Sequence, residues 1–309
     1  MGPLPAELRR AIGDALGSDI RRVSALSGGR SARTYRLDLT GDPETVVCKV
    51  GGPSVRTGDV VEPLVLEYVG ANLDLPVPSV LLEGTLANGE DTRWAVYEFC
   101  EGSPPSYRSL DPAVRARLVR NVGEVLGRLH EAGPFERTGG FGRDGNRLVI
   151  RDEAGLQVPR RIRNLLERFG DVSPDRRPVL AHGDLFPGNL LVDDRGTITG
   201  LVDWGNAHVT TPGYALARAQ VRFVDWYRFP AGHRRRLGSA LQSGYRARRP
   251  LPPDYPSWRG VYGAGWLLQS ADRVRRHLRT ARGRRQMGGQ AVEVLSSIVP
   301  ELGRDTADT

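Results

Sequence analysis

Between residues 182 and 204 the chain reads His182-Gly183-Asp184-Leu185-Phe186-Pro187-Gly188-Asn189, and then Leu201-Val202-Asp203-Trp204. Two carboxylates and an amide so grouped suit phosphoryl transfer. One carboxylate takes the proton of an attacking hydroxyl, while hard oxygens hold a divalent cation against the phosphates. Leu190-Leu191-Val192 and residues 197–202 read as short strands, with Asp193-Asp194-Arg195-Gly196 as the tight turn between them. Such a hairpin brings its open ends side by side. Asn189 marks one end and Asp203 the other, so their oxygens can converge on one cation, and Mg²⁺ is the ion they suit. Asp184, just upstream, is placed to accept the hydroxyl proton. Aspartates often cap turns, but capping explains them one at a time and not their grouping around one hairpin.

A second signal is a solitary lysine. Lys and Arg together number 44, yet only Lys49, within Val46-Val47-Cys48-Lys49-Val50, is lysine. An ammonium on a flexible stem is a movable point charge, whereas a guanidinium is a rigid planar fork. Retention of lysine in an arginine-using chain suggests a position where the fork does not fit. Its carboxylate partner is expected on the following helix. Glu62 and Glu67 are both available; Glu62 is favoured, although Pro63 suits the first helical position and leaves Glu62 able to serve the helix end instead. Between the first two predicted strands, Ser27-Gly28-Gly29-Arg30-Ser31 has the glycines that let backbone approach a phosphate, which singles out Gly28, Gly29 and Ser31.

The elements that must carry these groups follow from periodicity. Residues 20–25, 32–39 and 45–50 read as strands, and 59–73 as a helix through Leu66, Val69 and Leu73. Leu75-Pro76-Val77-Pro78 stops that helix. Residues 80–83 and 93–100 make two more strands, with Asn88-Gly89 as a turn between them. The first hundred residues are thus strand-rich. Asp111-Pro112 then starts a helix over 112–132, with Val114, Leu118, Val122, Val125, Leu126 and Leu129 on one face. Residues 133–178 are poorly patterned apart from one predicted helix over 160–169. From Tyr214 onward arginine-rich faces alternate with Trp, Tyr and Leu, as in several packed helices. The expected fold is α+β and bilobal: a small five-stranded lobe over 1–101 hinged to a larger, mostly helical lobe over 102–309.

Composition narrows the field. Hydrophobic residues make up 39% and charged residues 26%, as in ordinary globular proteins. No apolar run approaches the length needed to span a bilayer, and no secretory leader pattern is read at the start. Cys48 and Cys100 cannot make a disulfide framework, so a cytoplasmic location is expected. The net charge of +8 comes almost wholly from arginine. No basic stripe interleaved with aromatics accompanies it, which argues against nucleic acid as the partner.

The His-Gly-Asp, Asn and Asp-Trp pattern resembles the aminoglycoside phosphotransferase and choline kinase-like family over about residues 20–220. The resemblance implies a protein-kinase-like fold and transfer of the γ-phosphoryl of ATP or GTP to a small-molecule hydroxyl. Asp184 would be the base, and Asn189 and Asp203 the magnesium ligands. Lys49 would bind the α/β-phosphates. His182 would support the loop rather than act as the base. In Trp94-Ala95-Val96-Tyr97-Glu98-Phe99-Cys100-Glu101-Gly102, the Glu98 carbonyl and the Cys100 amide would pair with the nucleotide base.

The chain also departs from that family. Members commonly carry Gly-Asp-Pro and then Asp-Leu-Ala after the second metal ligand, where this chain has Thr210-Thr211-Pro212 and Ala215-Leu216-Ala217. The second aspartate usually braces the catalytic loop, so with Ala215 that loop needs another support. Residues 205–309 hold 18 arginines against seven acids. A polycationic acceptor needs carboxylates, and Asp225, Asp254, Asp272 and Glu293 are few for that task. A neutral or anionic acceptor is therefore expected. Trp226, Tyr227, Trp258, Tyr262 and Trp266 either line its pocket or pack helices.

Overall fold

The structure is a computed structural model that describes residues 3–26, 32–86, 92–151, 177–227 and 229–253, together with 255–256, 259–260 and 262–263. Gly28, Gly29 and Ser31, the Asn88-Gly89 turn, the helix expected over 160–169, Asp254, Asp272, Glu293, Trp258 and Trp266 lie outside the described residues.

The chain opens with a helix, α1 (Ala6–Leu16), which lies ahead of the first predicted strand and was not among the predicted elements. Leu4, Leu8, Ile12 and Leu16 recur every fourth residue and so make one apolar stripe. Five antiparallel strands follow: β1 (Ile20–Leu26), β2 (Ala32–Leu39), β3 (Thr45–Gly51), β4 (Val80–Leu86) and β5 (Thr92–Glu98). They lie in the order β1-β2-β3-β5-β4, with helix α2 (Glu62–Asn72) inserted between β3 and β4. Alternation along β3 decides which way each residue faces. Val46, Cys48 and Val50 join Leu8, Ile12 and Leu37 in one buried cluster. Val47 packs against the other cluster, together with α2 and the C-terminal elements. Lys49 shares Val47's face, so strand parity turns it away from the first core.

The helix beginning at Glu62 is shorter than the 59–73 expectation. Asp59 is instead drawn into tertiary contacts: its carboxylate accepts from the Arg143 backbone N–H at 2.8 Å and pairs with Arg151 at 3.1 Å. Likewise β5 ends at Glu98, leaving Cys100 in the connection beyond the strand.

After that connection comes α3 (Pro112–Leu129), whose cap, Asp111, accepts from the amides of Ala113 and Val114. It packs along α5 (Ala231–Arg246) at very short range. A Cβ on Gly123 would overlap the Leu241 carbonyl, and one on Gly244 would overlap that of Arg120. Among the described residues the C-terminal half also holds a four-stranded sheet that sequence patterning did not anticipate. Its order is β7 (Arg147–Arg151), β6 (Gly139–Asp144), β11 (His208–Thr210) and β8 (Val179–Ala181). The β9 (Leu190–Val192) and β10 (Ile198–Leu201) hairpin stands beside it, followed by α4 (Pro212–Gln220) and a π-helical turn at Val221–Asp225.

Candidate active site

The β9–β10 hairpin is closed by Asp193, whose Oδ1 accepts from the amides of Arg195 at 2.9 Å and Thr197 at 2.8 Å. Its register sets Leu190 opposite Leu201, and the Val202 amide donates to the Asn189 carbonyl at 3.1 Å. Asn189 and Asp203 therefore flank the same open end. Asn189 sits in a tight helical turn and donates its Nδ2–H to the Asp184 carbonyl at 2.9 Å. A planar amide that donates on one side turns its oxygen to the other. Asp203 is the only non-glycine residue with positive φ among the described residues, at 69°. Backbone in that sparsely populated region clusters at active sites. The donor set is thus one half-exposed carboxylate and one amide oxygen. It fits Mg²⁺, which takes one or two protein oxygens and fills its octahedron with phosphate and water.

Lys49 reaches this end from the opposite lobe. Its Nζ lies 2.7 and 2.9 Å from the two Glu62 oxygens and 3.2 Å from Asp203 Oδ1. Burial works to lower its pKa, but the Glu62 and Asp203 carboxylates outweigh that and the net shift is upward, so the ammonium is firmly charged. Glu67 is exposed and takes no part in this contact. Val61, not Glu62, is the helix cap, which leaves the Glu62 carboxylate to Lys49. That carboxylate has a second duty not read from the sequence. Its Oε1 accepts the Trp204 amide at 3.0 Å, which ties α2 to the residue after Asp203. Trp204 is fully buried and donates Nε1–H to the Leu201 carbonyl at 2.8 Å.

His182 is structural in its contacts. Its Nδ1 accepts the Asp184 amide at 3.2 Å, which leaves Nε2–H to donate to the Val202 carbonyl at 3.1 Å. The ring lies 4.3 Å from that of Trp204. Burial pushes its pKa down to about 4, so it is neutral and both nitrogens are engaged. Gly183, at φ 84°, passes so close to Asn206 that a Cβ would overlap that residue's carbonyl.

Sequence reading missed two arginines. At Ala215, which stands where an aspartate usually braces the loop, a cavity of about 20 Å³ abuts His182, Gly183 and Ala215. One helical turn on, Arg218 donates to the Gly183 carbonyl and so braces the loop from the same helix. Burial foremost, with Arg222 and Arg56 nearby, lowers its pKa to about 10, and it stays cationic at neutral pH. Arg222 then places Nη2 2.8 Å from Asp184 Oδ1, and Arg218 lies 3.8 Å from the same oxygen. The available signal was the four-residue spacing of the two arginines after a lost aspartate. It was masked by arginine's abundance throughout the chain.

From Phe186, two residues beyond Asp184, opens a groove of about 410 Å³, lined among others by Ser106, Arg108, Ser109, Gly188 and Tyr227. No described lining residue is acidic. Tyr227 stacks on Phe229, with centroids 5.5 Å apart, and Tyr262 packs edge-on to Tyr214. At the end of β5, Glu98 sits in register opposite Val46, and its side chain accepts from Ser79 Oγ at 2.8 Å. Cys100 packs against Gly200, while Thr199 Oγ1 donates to the Glu101 carbonyl at 2.7 Å. The stretch expected to pair with a base is thereby held against β10.

Residues 22–283 match the model of the APH phosphotransferase enzyme family. The chain belongs to that family. That family is one of phosphotransferase enzymes. A microcompartment-associated aminopropanol kinase has a similar fold, with TM-score 0.69 at 18% identity, covering 96% of this chain and 98% of that one. A thermostable mutant of aminoglycoside phosphotransferase APH(4)-Ia, in ternary complex with AMP-PNP and hygromycin B, gives TM-score 0.61 at 19% identity, covering 98% and 100%. The uncharacterized protein YcbJ of Bacillus subtilis (strain 168) is 29% identical over 207 residues, 55% of this chain. The chain spans 62% of the length of that curated relative.

Proposed function

We propose that this family member moves the γ-phosphoryl of ATP or GTP to a hydroxyl of an antibiotic-like small molecule that is neutral or anionic rather than polycationic. The carrying observation is the Lys49 ammonium, held between Glu62 of one lobe and Asp203 of the other at 2.7 and 3.2 Å. In this reading Lys49 steadies the α/β-phosphates, and Asn189 and Asp203 would hold Mg²⁺, which supplies charge neutralisation between the phosphates when bound. Asp184 orients the acceptor hydroxyl and takes its proton. The Glu98 carbonyl and Cys100 amide pair with the base, and Gly28, Gly29 and Ser31 cover the phosphates. The AMP-PNP bound by the aminoglycoside phosphotransferase supports a nucleotide in this cleft.

The charge preference rests on what surrounds the acceptor side. Asp225, the one described acid between residues 205 and 263, is partly buried, with its pKa raised by that burial, and accepts from Gln220 Nε2 at 3.4 Å. It is not offered to a polyamine. Among the described residues no helix is long and apolar enough to cross a membrane. Free Cys48 and Cys100 accord with work in the reducing cytoplasm. The test is nucleotide consumption with a panel of polycationic, neutral and anionic hydroxylated compounds. Faster turnover of kanamycin-like polycations than of the others would contradict the charge preference.

A further inference from the structure

Lys49 and Glu62 meet at 2.7 Å, yet different parts of the fold set their places. Lys49 stands on the five-stranded sheet. Glu62 opens α2, and Val61, Val65, Leu66 and Val69 around it share a buried cluster with Phe141, Leu201 and Trp204 of the C-terminal half. The approach to α2 is fastened to that half as well. The Val55 amide donates to Asn206 Oδ1 at 3.1 Å, Thr57 Oγ1 donates to the Phe141 carbonyl at 2.7 Å, and the Asp59 carboxylate accepts the Arg143 amide at 2.8 Å.

The Arg143 side chain, from β6, touches both parts. Its Nη2 donates to Glu83 Oε1 at 2.5 Å, its Nη1 to the Val60 carbonyl at 3.5 Å and its Nε to the Gly145 carbonyl at 2.8 Å. The side chain is only 5% exposed, and a rigid planar fork so held fixes the spacing of its partners. Glu83 of β4 is in register with Ala95 of β5, and Ala95 with Lys49 of β3. Residues directly opposite on neighbouring antiparallel strands share a face. Glu83 and Lys49 therefore lie in one row on one face of the sheet, two strand spacings or about 10 Å apart. Val60 in turn stands two residues ahead of Glu62. Arg143 thus grips the sheet on the row of Lys49 and the chain at the entry to Glu62.

Resting on the kinase reading, we propose that Arg143 is a positioning residue for the nucleotide phosphates: it sets the separation of Lys49 from Glu62, so that the ammonium stands ready before the nucleotide arrives. A lysine is a point charge on a flexible stem, and it binds phosphate well only where its surroundings aim it. Glu62 aims Lys49, and Arg143 holds the two elements that carry them.

The test needs no identified acceptor. Affinity for Mg·ATP and Mg·GTP is measured by calorimetric titration for the wild type, Arg143→Met and Glu83→Ala, each alone and combined with Glu62→Gln. All are compared at a temperature where circular dichroism shows them folded. Arg143→Met keeps the apolar stem and removes the donors. Glu83→Ala releases the grip from its more exposed side, 27% against 5%, and carries the test should Arg143→Met fail to fold. Each single variant should bind the preferred nucleotide about tenfold more weakly, the worth of one charged hydrogen bond to phosphate. With Glu62→Gln already present the spacing no longer matters, and neither change should weaken binding further. Such non-additivity marks residues that act through one another. Additive weakening would mean that Arg143 acts only on the fold at large and would overturn the proposal, as would wild-type affinity in the single variants. A wild type that binds neither Mg·ATP nor Mg·GTP would sink the kinase reading itself, while binding that the single variants leave unchanged would sink only the role of Arg143.

Discussion

Acid should loosen the loop over residues 182–189 through one residue, His182. Its neutral ring bridges the Asp184 amide and the Val202 carbonyl, one on each side of the β9–β10 hairpin. Burial holds its pKa at about 4 against an ordinary 6.5. In the unfolded chain the ring binds a proton below about pH 6.5, whereas in the folded chain it resists one until about pH 4. Between those values the unfolded state holds more protons, so stability is full above about pH 6.5 and is lost as pH falls. At ~1.36 kcal/mol per pH unit the gap amounts to about 3 kcal/mol, of which about 2.5 is gone by pH 4.5. The perturbation is His182→Gln, which removes the titration. His208 is also buried with a lowered pKa, and it titrates in both proteins, so its effect largely cancels in the difference. Urea unfolding followed by tryptophan fluorescence suits the site, because Trp204 lies against the ring. Wild-type stability minus that of His182→Gln should fall by about 2.5 kcal/mol from pH 8 to pH 4.5. A difference that stays flat over that range would refute the assignment of a neutral, buried His182.

Lys49→Arg keeps the charge but puts a planar fork where Glu62 and Asp203 close on one nitrogen. Nucleotide at a hundred times its Kd stabilises a protein by about 2.7 kcal/mol, and the variant should lose more than half of that in a thermal shift with Mg·ATP. Arg218→Ala removes the donor to the Gly183 carbonyl. It should cost about 1–3 kcal/mol in denaturant unfolding and lower kcat more than it alters KM for the nucleotide. Gly183→Ala meets both a φ of 84° and the Asn206 carbonyl. A loss of at least about 2 kcal/mol is expected by calorimetry, and a silent substitution would contradict the geometry.

Much of the site was legible because its parts lie close in sequence or on adjacent elements. A turn of four residues closes the hairpin, so the juxtaposition of Asn189 and Asp203 follows from local chain reversal. The meeting of Lys49 and Glu62 needs only strand parity and the helix start. The four-stranded sheet was not legible, because β6 is rich in glycine and β8 and β11 are three residues each. Their pairing joins segments far apart in the chain, which no short window can read. Helix α1 is legible in the four-residue recurrence of Leu4, Leu8, Ile12 and Leu16. Arg218 and Arg222 were hidden for a different reason: in a chain with 44 basic residues, two more give no contrast.

In the proposed reaction Asp184, whose carbonyl accepts from Asn189 Nδ2 at 2.9 Å, takes the hydroxyl proton. With whichever hydroxylated compound the wild type phosphorylates, Asp184→Ala should lose about 10²–10⁴ in kcat while its stabilisation by Mg·ATP stays as in the wild type. Turnover within a few fold of the wild type, with the nucleotide still bound, would contradict it.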